Sequence, residues 1–154
     1  MAYRIEGLQP EPFQPLFGMN GAELARRNAR AVTAGPRGGF PCRVSLRDAE
    51  PGERLLLLSH VSHDVATPFH TRYAIYVREA AERAAYDDEA PDYLDTRTLG
   101  LRGFDSAGML RDALIALPGE ADLRIRALLE RDDVSEIHAH NAAYGCFLAR
   151  IERN

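Results

Sequence analysis

The sequence predicts an α+β domain built on a mainly antiparallel, curved or barrel-like sheet of about seven strands, with two main helices beside it. Three observations predict it. Stretches with the alternation or the continuous apolar character of strands recur along the chain. Hairpin-length connections join most of them, which favours antiparallel pairing over parallel crossovers. Only two stretches, residues 20–30 and 118–131, carry sustained helix signals. A chain of 154 residues predicts a single domain over 1–154, long enough to bury a core without disulfide or metal staples.

Residues 3–8 read as a first strand. Pro10, Pro12 and Pro15 then forbid a helix or a central strand. With Phe13, Leu16 and Phe17 between them, this segment is expected to lie extended on the core surface. Asn20 is a good N-cap for the first helix, over residues 20–30, and Glu23 holds the capping-box position. Residues 42–46 are expected to be extended, with Cys42, Val44 and Leu46 on one side. A turn follows at residues 49–52, with Pro51 and Gly52 placed for type II. Residues 53–61 give the strongest strand, and residues 73–77 another. Short helical turns are expected at 79–85 and 91–94. Residues 98–104 and 109–115 flank a hairpin loop ending in Gly108. The second helix, over 118–131, carries the apolar stripe Ala121, Ile125, Leu128 and Leu129. Residues 134–140 and 146–152 form a closing hairpin.

Composition narrows function mainly by exclusion. The formal net charge is -4, so bulk electrostatics favours neither nucleic acid nor an anionic membrane. The 19 cationic residues are all arginine. Without lysine there is no Schiff-base anchor for pyridoxal phosphate and no lysine-dependent phosphate loop. An anion held by a side chain is therefore expected on the planar arginine fork. The start lacks an apolar signal core, and no clean apolar run, the leucines at 55–58 included, approaches the length of a membrane span, so a cytoplasmic location is expected. Two cysteines are too few for a disulfide scaffold.

Chemistry concentrates in the closing hairpin. Burying Ile137, Ala139, Phe147 and Ile151 together requires odd residues to pair with odd ones, because a one-residue slip turns a whole strand over. A three-residue loop of Ala143, Tyr144 and Gly145, with Gly145 left-handed, satisfies this. His138, His140 and Cys146 then share the opposite face. Imidazole and thiol are ligands that zinc prefers. His60, His63, His70 or Cys42 would have to complete a four-ligand set, so no metal and no cofactor is assigned. His60 and His63 are three apart, which puts them on opposite faces of a strand unless the chain turns at Ser62. Cys42, between Pro41 and Arg43 with Arg47 nearby, is either an activated nucleophile or a small buried hydrophobe. Nothing in the sequence places Cys42 beside Cys146. There is no phosphate-binding glycine loop, nucleophile elbow or HExxH.

Several of these motifs have a familiar order. Residues 40–53, from Phe40-Pro41-Cys42-Arg43 through Pro51-Gly52-Glu53, run into the four leucines at 55–58. Residues 73–79, Leu101-Arg102-Gly103-Phe104-Asp105 with Gly108-Met109, and residues 137–142 with Gly145-Cys146-Phe147 follow. The chain resembles the bacterial family known as domain of unknown function 1203 over nearly its whole length. The resemblance brings no activity, substrate or catalytic residue with it. The histidines around 60–70 exceed the pattern associated with that family.

Two functional expectations follow. The first is a small anionic ligand held in a pocket lined by Arg43, Arg47, His138, His140 and Asn141, the partner being a small molecule and not nucleic acid or membrane. The second is a thiol- or metal-dependent enzyme, with Cys146 or Cys42 as nucleophile and His138 or His140 as base. A structural or protein-interaction role is the remaining alternative, and the sequence leaves the oligomeric state open.

Overall fold

Strands dominate the chain because β-branched and leucine-rich segments alternate with turn chemistry at short intervals. The computed structural model describes residues 2–154. In chain order these form β1 (Tyr3–Glu6), a 3-10 turn (Gln14–Gly18), α1 (Gly21–Ala25), β2 (Ala29–Thr33), β3 (Pro41–Cys42), β4 (Arg47–Asp48), β5 (Arg54–His63), β6 (Thr71–Arg78), β7 (Ala85–Asp87), α2 (Asp92–Asp95), β8 (Leu99–Phe104), β9 (Leu110–Ala116), α3 (Ala121–Leu129), β10 (Glu136–Asn141) and β11 (Phe147–Arg153).

The fold is α+β and mainly antiparallel, as the sequence predicts, but it holds two sheets rather than one curved sheet of about seven strands. A six-stranded sheet has the order β7-β1-β11-β10-β8-β9, and a five-stranded sheet the order β2-β5-β6-β3-β4. Neither closes into a barrel. One pair, β3 with β6, is parallel. Three α-helices, not two, occur among the described residues, and each is short. None is long and apolar enough to cross a membrane.

The extra strands arise where short pieces override helix-like patterns. Asn20 caps α1 and forms the capping box with Glu23, but the helix ends at Ala25 instead of running to Arg30. Asn28 takes a left-handed conformation (φ 53°) and turns the chain into β2. Residues 79–85 form no helical turn; Ala80 also has positive φ, and the chain leads into β7. Of residues 42–46 only Cys42 is extended, as the end of β3, and the other four form a turn. They turn back, with Leu46 N–H donating to Cys42 O (3.0 Å) and Leu46 at φ 48°. The turn at Pro51-Gly52 closes as predicted, Glu53 N–H donating to Glu50 O (3.0 Å).

The main core lies where α2 and α3 cover one face of the six-stranded sheet. Ile5, Leu99, Leu101, Ile137, Leu148 and Ile151 pack there against Ile125, Leu128 and Leu129. A second cluster joins Leu56, Leu58, Ile75 and Val77 of the five-stranded sheet to Phe13 and Leu24. Phe13 anchors the proline-rich segment to this cluster, with Leu16 and Phe17 partly buried against it. The two sheets meet through aromatic contacts: Tyr73 against His140, and His63 against His138 and Phe104.

Candidate functional site

The β10–β11 hairpin carries the polar groups of the inter-sheet seam. Ile137 lies opposite Ile151, His138 opposite Arg150, and Ala139 opposite Ala149. The register then shifts, so that His140 pairs with Phe147 and Leu148 is the extra residue of a bulge. His138 and His140 do share the face opposite Ile137, Ala139 and Ile151. Phe147 does not join the apolar set as expected. The bulge turns over everything on its loop side, so Leu148 enters the core and Phe147 joins the histidine face. The Phe147 ring lies 5.5 Å from that of His138 and 6.0 Å from that of His140. Gly145 has the predicted positive φ, 78°. The loop is one residue longer than expected, with Asn141 N–H donating to Cys146 O (2.9 Å) and Gly145 N–H to Asn141 O (2.7 Å).

At the loop end of the hairpin, Arg43 is buried (2% exposed). The sharp turn after β3 places it there. Its Nε–H donates to Phe147 O at 2.7 Å, one terminal nitrogen to Pro41 O at 2.5 Å, and the other to Cys146 Sγ at 3.4 Å. Two of the three acceptors are backbone carbonyls and the third is a cysteine sulfur, and no carboxylate of the described residues pairs with this guanidinium. Each terminal nitrogen keeps a second N–H. Arg43 lines a cavity of about 530 Å³ with Pro41, Tyr73, Tyr76, Asn141 and Cys146, while the exposed Tyr144 stands at its rim. His140 does not line this cavity; its ring packs against Tyr73, which does. Its Nδ1–H donates to Gly145 O at 2.9 Å, and burial pushes its imidazole down to about 4.

At the open end, a second cavity of about 650 Å³ is lined by Ser62, His63, Asp105, Glu136, His138 and Arg150 among others. A bulge between Val61 and His63 redirects β5, and His63 (3% exposed) swings against β10. Its Nε2–H donates to Gly108 O at 3.1 Å. Its Nδ1 lies 3.7 Å from Glu136 Oε1. His138 Nε2–H donates to the same oxygen at 3.0 Å, while Arg150 Nε–H donates to Glu136 Oε2 at 2.7 Å. Burial of Glu136 acts to raise its carboxyl, but His138 and Arg150 outweigh it and hold it below the ordinary value. Burial pushes the His138 imidazole down, and Glu136 offsets only part of that. The pair is therefore an ionised carboxylate beside a neutral ring.

The residues singled out in the sequence thus divide among several places. Arg43 and Asn141 share the loop-end cavity, although Asn141 Oδ1 is taken by the N–H groups of Ala143 and Tyr144. Arg47 lies elsewhere, bonded to Asp48 and Glu53. Cys146 opens on the Arg43 cavity, and its thiol has no imidazole partner among the described residues. Cys42 is fully buried in the second core cluster, its Sγ accepting from Arg78 N–H at 3.2 Å. Both cysteines are free. His60 packs toward Phe13, away from His63, and His70 sits beside Asp64 in the loop. Sequence reasoning missed Glu136, Arg150, Tyr73 and Tyr76. The signal for Glu136 was present: it stands two positions before His138, on the same strand face.

A family model described as "Protein of unknown function (DUF1203)" matches residues 39–153. The chain belongs to this family. The match takes in both cavities of the DUF1203 chain and leaves out β1, the proline-rich segment, α1 and β2. No curated protein and no solved structure matches the chain.

Proposed function

We propose that this DUF1203 protein binds a small organic carboxylate, with an apolar or aromatic body, in the cavity on which Arg43 opens. The observation that carries the reading is the burial of Arg43 without a carboxylate partner. A buried guanidinium with no carboxylate partner retains an uncompensated charge, which costs several kcal/mol unless a counter-charge arrives. A ligand carboxylate would supply it, because a planar fork with a spare N–H on each terminal nitrogen suits two carboxylate oxygens. Tyr73 and Tyr76 offer ring faces for the rest of such a molecule, and Tyr144 a flap over it.

A thermal-shift panel of aromatic and branched monocarboxylates tests this, since a ligand bound only by the native state raises the melting temperature. The expected result is a rise in the wild type that Arg43→Met abolishes and Arg47→Met preserves. Absence of any rise at millimolar concentration, or a rise equal in both variants, overturns the reading.

A further inference from the structure

Two imidazoles and a carboxylate converge at the open end of the hairpin, from strands of different sheets. The donor atoms of His63, Glu136 and His138 all lie within 4.8 Å of one another. Two ligands each about 2.0–2.2 Å from one ion sit about 3–3.5 Å apart. The separations from Glu136 Oε1, 3.0 Å to His138 and 3.7 Å to His63, fall around that spacing.

The hydrogen bonds around the cluster fix which atoms face inward. Gly108 O can only accept, so His63 Nε2 carries the proton. In a neutral ring, Nδ1 is then left with a lone pair, and that lone pair faces a carboxylate oxygen. Two acceptors in a buried site oppose each other unless a cation lies between them. The outer contacts are those that orient metal ligands: a backbone carbonyl on the distal nitrogen of His63, and Arg150 on the outer oxygen of Glu136. Ser62 lines the same cavity, and its Oγ is buried with no hydrogen-bond partner among the described residues. The lining carboxylates Asp64, Asp105, Glu136 and Glu152 outnumber its guanidiniums, Arg150 and Arg153.

We propose that His63 through Nδ1, Glu136 through Oε1 and His138 through Nε2 bind one divalent first-row transition ion. On binding, the proton that His138 now donates from Nε2 to Glu136 moves to Nδ1 of the same ring, and the freed Nε2 lone pair takes the ion. Two nitrogens and one oxygen suit zinc and its neighbours in the series, whereas magnesium and calcium demand oxygen ligands. Three protein ligands leave coordination positions open, and those positions face the cavity. That is the arrangement of a metal that receives a water or a substrate oxygen, not of a closed structural site. The proposal shares no ligand residue with the Arg43 cavity and stands or falls separately.

Titration of Zn²⁺ into the metal-free full chain, followed by calorimetry, tests it. One ion per chain is expected, with affinity falling more than about tenfold in each of His63→Gln, Glu136→Gln and His138→Gln. His70→Gln, which removes an exposed histidine beside Asp64, leaves the affinity unchanged. Should the variants fail to fold, imidazole ¹⁵N spectra of the wild type decide the matter. Zn²⁺ is expected to shift Nδ1 of His63 and Nε2 of His138, and to leave the nitrogens of His60 and His70 in place. No stoichiometric binding, binding that follows His70, or displacement of Zn²⁺ by comparable concentrations of Mg²⁺ overturns the proposal.

Discussion

The two ends of the β10–β11 hairpin solve the problem of buried charge differently. At the loop end Arg43 is surrounded by two carbonyls and a thiol, so its charge has partners for its protons but none for its sign. At the open end Glu136 has both, with Arg150 on one oxygen and His138 on the other. The first site holds a cation with no carboxylate beside it; the second has a carboxylate already in place, with His63 Nδ1 3.7 Å from its oxygen. His140 and Phe147 lie between them and separate the two chemistries. Each end also has a glycine crowded by another part of the chain, Gly7 by the Val44 backbone and Gly108 by the Val65 side chain, and that gives separate handles on the two.

The largest expected effect is at Gly7. A Cβ there would lie 1.8 Å from Val44 O, and the backbone is pinned on both sides by Leu8 N–H to Arg43 O (2.8 Å) and Ala84 N–H to Val44 O (3.0 Å). Gly7→Ala has to displace the turn that aims Arg43, and is expected to cost about 3 kcal/mol or more by urea unfolding. The imidazole signals of His63 and His138 should stay where they are. If they move as far as the loop-end resonances do, the two ends are not independent.

Gly108→Ala is the matching change at the other end. Gly108 has φ 84°, and its added Cβ would lie 2.6 Å from Val65 Cγ1. Left-handed strain and overlap together are expected to cost about 2–3 kcal/mol. Because Gly108 O accepts from His63, the His63 Nε2 resonance should shift, while carboxylate binding at Arg43 persists. Val65→Ala on the Gly108→Ala background should restore about 1 kcal/mol, since it removes the overlap and leaves the strain.

Much of the frame was legible in the sequence, and the reasons are local. The β8–β9 and β10–β11 hairpins, the Asn20 capping box, and positive φ at Gly145 all follow from residues close together in the chain. What escaped was non-local or depended on a single inserted residue. A bulge at Leu148 reversed the side of Phe147, and nothing in alternation alone marks that insertion. A bulge on β5 likewise sent His63 across to β10, which periodicity placed only on the far side of a strand from His60. The second sheet was missed because β3 and β4 have two residues each, too short to show a period. Arg43 was legible as an anion-binding candidate, but its burial comes from Leu46 at positive φ, a conformation that a leucine does not advertise.

Arg43→Met follows in size. It removes an uncompensated charge, which is favourable, and orphans the carbonyls of Phe147 and Pro41, which costs about 1–3 kcal/mol each. The net expectation is a loss of about 2 kcal/mol by urea unfolding, with the metal-site residues undisturbed. A variant more stable than the wild type would show that the buried charge dominates, and would strengthen the case that Arg43 is kept for a ligand.

Gly145→Ala gives the smallest effect and isolates strain from overlap. Gly145 has φ 78°, much like Gly108, yet an added Cβ there meets nothing within 4 Å. Only the left-handed penalty is left, about 1 kcal/mol. The backbone need not move, so Gly145 O still accepts from His140 Nδ1–H and neither cavity is disturbed. Both ligand and metal affinities are therefore expected to match the wild type. Measured by urea unfolding, Gly108→Ala should exceed Gly145→Ala by about 1 kcal/mol or more, the part owed to Val65. Equal costs would mean that the loop after β5 yields freely to Gly108, and that the Gly108 carbonyl does not hold His63 in a fixed orientation.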